Sequence, residues 1–110
     1  MEAYTMAAIH LNAEIFHHLL QGEKPVLVEF WAPWCKYCVE LESTFEEIAA
    51  AYGEQLAIGK INIDDHPALA EKYFIEYVPT LAIFSEGDLI DFVISPDSRE
   101  AIARFIEEIL

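Results

Sequence analysis

The chain has 110 residues, which is the size of one domain and too short for two, so we expect a single domain over residues 1–110. A composition that is 55% hydrophobic and 13% aromatic excludes an intrinsically disordered chain. The formal net charge of −14 argues against nucleic acid or an anionic membrane surface as a partner, because both would repel the protein. No apolar run is long enough to span a bilayer, and no export signal is recognisable, so we expect a cytoplasmic protein.

The first half of the chain predicts alternating strands and helices. Residues 7–11 indicate a short strand, and Asn12 can cap a helix that QGEKP ends. VLVEFWA, residues 26–32, is the nearly continuous apolar run of a strand buried on both faces. A second helix begins around the cysteines and ends at Gly53, and LAIGKINI, residues 56–63, alternates as a strand should. The glutamates of that helix are expected to face away from its apolar side: Glu40, Glu42, Glu46 and Glu47.

The second half predicts a short helix, a hairpin and a final helix. The short helix follows Asp64 and ends near Tyr73. Residues 80–85 and 89–95 flank EGD as the two strands of a hairpin. DSRE, residues 97–100, resembles a capping box at the start of an amphipathic helix. Strands that alternate with helices and end in a hairpin predict an α/β fold, a mixed sheet with helices on both faces.

WAPWCKYC contains the only two cysteines of the chain, Cys35 and Cys38. Cysteines at i and i+3 on one helical turn can bring their sulfurs within bonding distance. At the helix start, Cys35 lies where unpaired backbone N–H groups and the positive end of the dipole favour its thiolate. Cys38 lies one turn further in and should be less exposed. We therefore expect Cys35 to attack a target disulfide and Cys38 to resolve the mixed disulfide.

Zinc binding is the other common use of a C-x-x-C pair. A structural zinc site needs four ligands, and the chain has no second C-x-x-C. Its four histidines do not supply the missing ligands in an obvious way, because the adjacent His17 and His18 diverge by about 100° on a helix. We expect no metal site.

VLVEFWAPWCKYC, residues 26–38, resembles the strand and W-A-x-W-C-x-x-C motif of the thioredoxin family. The resemblance continues through KINID at 60–64, YVPT at 77–80 and the hairpin at Gly87, and covers residues 7–110 nearly completely. It implies a thioredoxin fold, with a central mixed five-stranded sheet flanked by four helices. It also implies a thiol–disulfide oxidoreductase that reduces protein disulfides by cycling its cysteine pair without a bound cofactor. Electrons would come from a separate reductase, by family analogy a flavoprotein thioredoxin reductase, and we expect a monomer.

The resemblance also assigns residues around the cysteines by position. Pro79 matches the cis-proline that faces the cysteine pair, which would leave the Val78 backbone free to pair with an extended substrate segment. Trp34 would form part of the docking surface, with core packing as its alternative role. Trp31 is assigned to the core.

A buried carboxylate is implied beneath the resolving cysteine. Glu29 stands where many thioredoxins have aspartate, and Lys60 matches the lysine that the family places near that acid. Burial should raise the pKa of Glu29 unless a cation pairs with it. We interpret Glu29 as a proton shuttle for Cys38. The alternative is a Glu29–Lys60 pair with no catalytic part.

Five further positions depart from the pattern of the family. Lys36-Tyr37 replaces the usual Gly-Pro between the cysteines, and Lys36 would stabilise the Cys35 thiolate and make the couple more oxidising. A solvated lysine without redox influence is the alternative. Tyr77 and Ser95 stand in place of glycines near the site, and Ser43 in place of a helix-kinking proline. A bulky Tyr77 would reshape the groove and favour a dedicated client.

Two other functions remain open. Lys36-Tyr37 is compatible with a glutaredoxin-like, oxidising or isomerising protein, although the W-A-x-W sequence before the cysteines disfavours a glutaredoxin. The acidic excess is compatible with a binding module that docks a basic partner and has no redox role. The complete cysteine pair favours thiol chemistry over the second alternative.

Overall fold

The computed structural model of the protein describes residues 8–110. Strands and helices follow one another in the order β1 Ile9–His10, α1 Ala13–Leu20, β2 Val26–Trp31, α2 Lys36–Tyr52, β3 Ala57–Asn62, α3 Pro67–Lys72, β4 Thr80–Ser85, β5 Asp88–Ile94 and α4 Arg99–Ile109. This is the predicted order, with ends that differ by a few residues. The predicted start of the first strand, Ala7, lies outside the described residues. None of the helices in the described part is long and apolar enough to cross a membrane.

The strands form one sheet in the order β1-β3-β2-β4-β5. β1 and β2 both run parallel to β3, whereas β4 is antiparallel to β2 and β5 is antiparallel to β4. The sheet is therefore mixed, and β2 lies at its centre. With four helices, this confirms the fold expected from the resemblance to thioredoxins.

Side chains of β2 alternate between two apolar layers. Val26, Val28 and Phe30 belong to the layer that includes residues of α1, whereas Leu27 belongs to the layer of α2 and α4. All five residues from 26 to 30 are buried, as predicted for a strand covered on both faces. By the same alternation, Glu29 projects into the layer beneath α2. The strand pattern thus places a carboxyl group at the interface between the sheet and α2.

Side chains cap the helices on either side of the sheet. Asn12 caps α1 as predicted, because its Oδ1 accepts the Ile15 N–H at 2.7 Å. α4 is capped by Ser98, whose Oγ accepts the Ala101 N–H at 3.0 Å. The predicted capping box over residues 97–100 is therefore wrong by one position. With Ser98 as the cap, the third helical residue is Ala101, which has no side chain to bond back to the cap.

Three residues other than glycine adopt the left-handed backbone conformation in the described part of the chain: Phe74, Glu86 and Ser95. Glu86 and Gly87, with φ of 54° and 87°, form a two-residue hairpin turn, so Asp88 belongs to β5 rather than to the turn. Ser95 has φ of 47° and follows β5, at a position where the sequence suggested that the family has glycine. A Cβ makes this conformation unfavourable, so Ser95 costs the fold some stability.

We expect Ser95→Gly to raise the free energy of unfolding by about 0.5–1 kcal/mol, because relief of the left-handed strain outweighs the greater flexibility of unfolded glycine. Urea denaturation of the oxidised protein measures the change. Ser43→Gly is the matched control, since Ser43 is an exposed residue within α2, where glycine should lower stability. Equal losses in both variants would show that Ser95 is not strained.

Candidate active site

The chain leaves the central strand β2 and turns directly into α2 at the cysteines. The Cys35 N–H donates to the Ala32 carbonyl at 3.1 Å, which fixes this turn, and Cys35 is the N-cap residue of α2. A disulfide joins Cys35 and Cys38, with the two Cα atoms 5.2 Å apart. Cys35 is 8% exposed and Cys38 only 3%, so Cys35 is the more accessible sulfur-bearing residue.

The start of α2 favours negative charge on Cys35. The Cys38 N–H points at the Cys35 Sγ and donates to it at 3.1 Å. The first turn of α2, which lies entirely within the described residues, carries no acidic side chain. It does carry Lys36, which is exposed to solvent. The unpaired backbone N–H groups and the helix dipole would therefore stabilise a Cys35 thiolate once the disulfide is reduced.

The loop before β4 covers the disulfide from the opposite side. Its Val78–Pro79 peptide bond is cis, and the Val78 carbonyl oxygen lies 3.6 Å from Cys35 Sγ. A disulfide sulfur has no proton to donate, so this is a close contact rather than a hydrogen bond in the oxidised state. Thr80 Oγ1 donates to the Tyr77 carbonyl at 2.6 Å and braces the loop. Tyr77 itself is 62% exposed beside this loop.

The two tryptophans before the cysteines have different environments. Trp34 is 67% exposed, which excludes core packing, and its Nε1 donates to Asp64 Oδ1 at 3.1 Å. The assignment of Trp31 to the core is confirmed only in part, because Trp31 is half-buried and packs against the edge of the cluster that includes Cys35 and Cys38. Trp31 lies at the end of β2, and the Lys60 Nζ is 5.1 Å from its ring centroid. Its buried Nε1 has no hydrogen-bond partner among residues 8–110.

Tyr37 is held from the side of α4. Its hydroxyl donates to the Pro96 carbonyl at 2.6 Å, and its ring is half-buried against the cluster that includes Cys35 and Cys38. The phenol therefore ties the first turn of α2 to the segment between β5 and α4. Lys36, its neighbour, remains on the surface.

Glu29 is buried beneath this turn, on the sheet face that α2 covers. It is 1% exposed, and among the described residues neither of its carboxyl oxygens has a hydrogen-bond partner. Burial raises the pKa of Glu29 from 4.5 to about 7. The Lys60 charge lowers this pKa, whereas Glu42 and Glu46 raise it further. A carboxyl group with this pKa can take up and release a proton near neutral pH.

Lys60 lies beside Glu29 in the register of β2 and β3 and is only 3% exposed. Its ion-pair partner in the described part of the chain is Glu42, with Nζ 3.6 Å from Oε2. Glu42 is 54% exposed, as predicted for a residue that faces away from the apolar side of α2, although its carboxylate also reaches the buried ammonium group. Glu46 departs from that prediction, because it is half-buried and its Oε1 accepts the Ala8 N–H at 3.3 Å.

Sequence reasoning missed several groups that support the site: Glu42, Asp64, Thr80 and Pro96. Asp64 directly follows β3 at the carboxyl edge of the sheet, and this placement could have indicated its proximity to Trp34. Glu42 gives no such signal, because its spacing on α2 resembles that of the solvent-facing glutamates. Pro96 takes part only through its backbone carbonyl, which a side-chain pattern does not report.

Comparison with known proteins supports the same site. The family model described as Thioredoxin matches residues 7–108. Thioredoxin 1 of Synechococcus elongatus is 35% identical over 104 residues, which cover 94% of this chain and 97% of that protein. The thioredoxin of Alicyclobacillus acidocaldarius is 32% identical over 94% of this chain and 99% of its own length. That of Griffithsia pacifica is 42% identical over 76% of this chain and 77% of its own length.

The chain belongs to the thioredoxin family. Together with the disulfide between Cys35 and Cys38, this membership makes it a thiol–disulfide oxidoreductase with protein-disulfide reductase activity. Thioredoxins act on disulfide substrates and are themselves reduced by a reductase.

Burial of Glu29 predicts a pH-dependent stability. Because its pKa rises from 4.5 to about 7 on folding, the native protein keeps a proton that the unfolded chain loses between these values. The contribution of Glu29 to the free energy of unfolding is greatest below pH 4.5, falls between pH 4.5 and about pH 7, and is constant at higher pH. The total loss is on the order of 3 kcal/mol.

Urea denaturation of the oxidised protein across this pH range tests the effect. Glu29→Gln should remove most of the decline, whereas Glu40→Gln, at an exposed residue of α2, should keep the wild-type slope. Parallel profiles for the wild type and Glu29→Gln would contradict the raised pKa.

Proposed function

We propose that Cys35 is the attacking thiol and Cys38 the resolving thiol in the reduction of protein disulfides. The Cys35 thiolate attacks one sulfur of a client disulfide, and the other sulfur leaves with the electron pair. The Cys38 thiolate then attacks Cys35, releases the second client thiol and leaves the Cys35–Cys38 disulfide. The observation that carries this order is the Cys38 N–H directed at the Cys35 Sγ, on the more exposed of the two cysteines.

The same proposal assigns the surrounding residues. Lys36, Tyr37 and Tyr77 border the substrate surface, together with the exposed ring of Trp34. The Val78 backbone, next to Pro79, pairs with an extended client segment. The proximity of its carbonyl to Cys35 Sγ supports this assignment, because a client held there brings its disulfide to the attacking sulfur.

Glu29 and Lys60 form the proton-handling part of the proposal. Glu29 accepts the proton of the Cys38 thiol as Cys38 attacks the mixed disulfide. Support comes from its pKa of about 7 and from its place beneath α2, the helix that carries Cys38. Lys60 limits the rise of that pKa and holds Glu42 at the edge of the same layer.

The cellular setting follows from the same chemistry. We propose a monomeric protein of a single thioredoxin-like domain over residues 1–110, active in the cytoplasm in electron transport and redox homeostasis. A separate flavoprotein thioredoxin reductase would return the oxidised pair to its dithiol form. Client proteins with accessible disulfides are its partners, whereas the net charge of −14 disfavours nucleic acid and anionic membranes.

Single cysteine variants test the order of attack. Cys38→Ser should form a mixed disulfide with insulin and retain it, because the resolving thiol is absent. Cys35→Ser should form none, and both variants should lose insulin reduction to the background level. Non-reducing electrophoresis and mass spectrometry measure the trapped complex, with Ser43→Ala as a matched control for substitution within α2. Trapping by Cys35→Ser instead would reverse the assigned roles.

Lys36 makes a second prediction, which concerns the reduction potential. If its charge stabilises the Cys35 thiolate, Lys36→Gly should raise the thiol pKa and make the potential more negative by about 10–20 mV, as expected for an exposed charge pair. Thiol trapping in defined dithiol buffers measures the potential. Lys24→Gly removes a charge from the loop before β2 and serves as the control. An unchanged pKa and potential would mean that Lys36 has no redox influence.

The absolute reduction potential also distinguishes a protein that reduces disulfides from one that forms or isomerises them. A value near about −270 mV supports a reductant of the thioredoxin type, and a value near about −200 mV or above supports a glutaredoxin-like or oxidising role. A cysteine pair that does not cycle, in a protein that keeps its biological activity when both cysteines are serine, would indicate a binding module.

A further inference from the structure

An exposed apolar surface extends from the cis-proline loop toward β5. Phe74, Tyr77, Phe92 and Ile94, here called the aromatic patch, line one pocket of about 120 Å³. Their side chains are 87%, 62%, 53% and 45% exposed, respectively. Four large apolar groups exposed together on one small surface indicate a binding site.

Phe74 is the least expected member of the patch. It follows α3 in the left-handed conformation, with φ of 57°, where a bulky side chain is unfavourable and glycine is the usual residue. Its ring also gains little from burial, because it is almost fully exposed. Neither the backbone nor the core therefore accounts for an aromatic residue at this position. Strain of this kind in a native protein commonly marks a functional surface.

The patch is continuous with the redox centre. Tyr77 immediately precedes Val78, whose carbonyl oxygen contacts Cys35 Sγ at 3.6 Å. At the other end of the patch, Ile94 pairs with Thr80, the residue that braces the Tyr77 carbonyl. A segment that lies across Val78 to reach Cys35 can therefore continue over the patch within a few residues.

Charge around the patch indicates the chemistry of its occupant. Glu76 lines the same pocket, and Glu71 lines a neighbouring one together with Phe74 and Glu76. Among the described residues, neither pocket is lined by lysine or arginine. In a dimer formed through this patch, these carboxylates would face the same carboxylates of the second copy, and each copy carries a net charge of −14. The resulting repulsion disfavours self-association. A basic partner is instead attracted.

We propose that the aromatic patch binds one large apolar side chain of the client, in an extended segment close to the cysteine that Cys35 attacks. Lysine or arginine next to that side chain lies against Glu76. This inference rests on the proposed function, and it names the class of client: disulfide proteins with an aromatic or large aliphatic residue and a basic residue near the target cysteine. A pocket of about 120 Å³ suits one side chain rather than a packed helix.

Synthetic peptides can test the preference directly. Each contains one cysteine as a mixed disulfide with thionitrobenzoate, and a Phe-Lys pair is placed two to five residues from it on either side. Matched peptides have Gly-Lys or Phe-Glu at the same positions. Reduced protein exchanges with the mixed disulfide, Cys38 completes the exchange, and one peptide thiol and one thionitrobenzoate are released as the Cys35–Cys38 disulfide forms. Stopped-flow absorbance gives the second-order rate constant.

At the best spacing, we expect the Phe-Lys peptide to react about tenfold faster than the Gly-Lys peptide. At low salt, the Phe-Glu peptide should react several-fold more slowly than the Phe-Lys peptide, and this difference should become smaller at high salt. The readout is the ratio of the Phe-Lys and Gly-Lys rates within each protein, so a general change in reactivity cancels. Phe92→Thr and Phe74→Gly should each reduce this ratio to about twofold or less.

Ile90→Thr is the matched control, because Ile90 is an equally exposed apolar residue of β5 that does not line the pocket. This variant should keep the wild-type ratio. Thermal melting checks that all three variants fold, and Phe74→Gly should melt no lower than the wild type because it relieves a left-handed aromatic residue.

The possible failures are distinguishable. Equal rates for all peptides, or a ratio that Phe92→Thr and Phe74→Gly leave unchanged, would overturn the patch as a client site. A concentration-dependent dimer in sedimentation that Phe92→Thr abolishes would assign the patch to a second copy instead, which also overturns the proposal. The proposed function itself would be refuted if the reduced protein released thionitrobenzoate neither from any peptide nor from the symmetrical disulfide of two thionitrobenzoate groups.

Discussion

Burial of residues 26–30 of the central strand β2 is the constraint on which the rest of the structure depends. β3 and β4 pair with it on either side, and helices cover both of its faces. Close packing of the core therefore fixes its position. The turn that follows it therefore delivers Cys35 to the N-terminus of α2 in one defined orientation. The same strand carries Glu29 into the layer beneath α2. Placement of the Cys35 sulfur and of the buried acid thus has a single structural origin.

Polar groups in the interior are confined to the neighbourhood of that strand. In the described part of the chain, the buried polar or charged residues are Glu29, Lys60 and Thr80. A carboxyl group without hydrogen bonds and an ammonium group shared between a glutamate and an indole ring are costly in a small protein. An apolar pair of similar size would pack more favourably. The proton transfer proposed for Glu29 would account for this cost, because a carboxyl group of ordinary pKa would be poorly matched to it near neutral pH.

The sequence was most informative where one physical pattern dominates. The apolar run of β2 and the i, i+3 spacing of Cys35 and Cys38 predicted the central strand and the disulfide, because burial and helical periodicity leave few other solutions. Prediction was incomplete where a long side chain could reach more than one environment. Glu42 turned back to Lys60, and Trp31 stopped at the edge of the core, although neither position differs in pattern from its neighbours. Such outcomes depend on tertiary distances that spacing along the chain does not contain.

Of the three left-handed residues other than glycine in the described part of the chain, two border the loop that contacts the disulfide, and Glu86 lies in the β4–β5 turn, where this conformation is usual. Ser95, in the left-handed conformation, donates its N–H to the Pro79 carbonyl at 2.8 Å, and the left-handed Phe74 lies three residues before Tyr77. The helix caps at Asn12 and Ser98, by contrast, have favourable geometry. Outside the hairpin turn, left-handed strain therefore lies on the surface that we propose to meet a client, whereas the elements that hold the cysteines are locally well satisfied. This distribution is expected where a binding surface retains strain that the rest of the fold avoids.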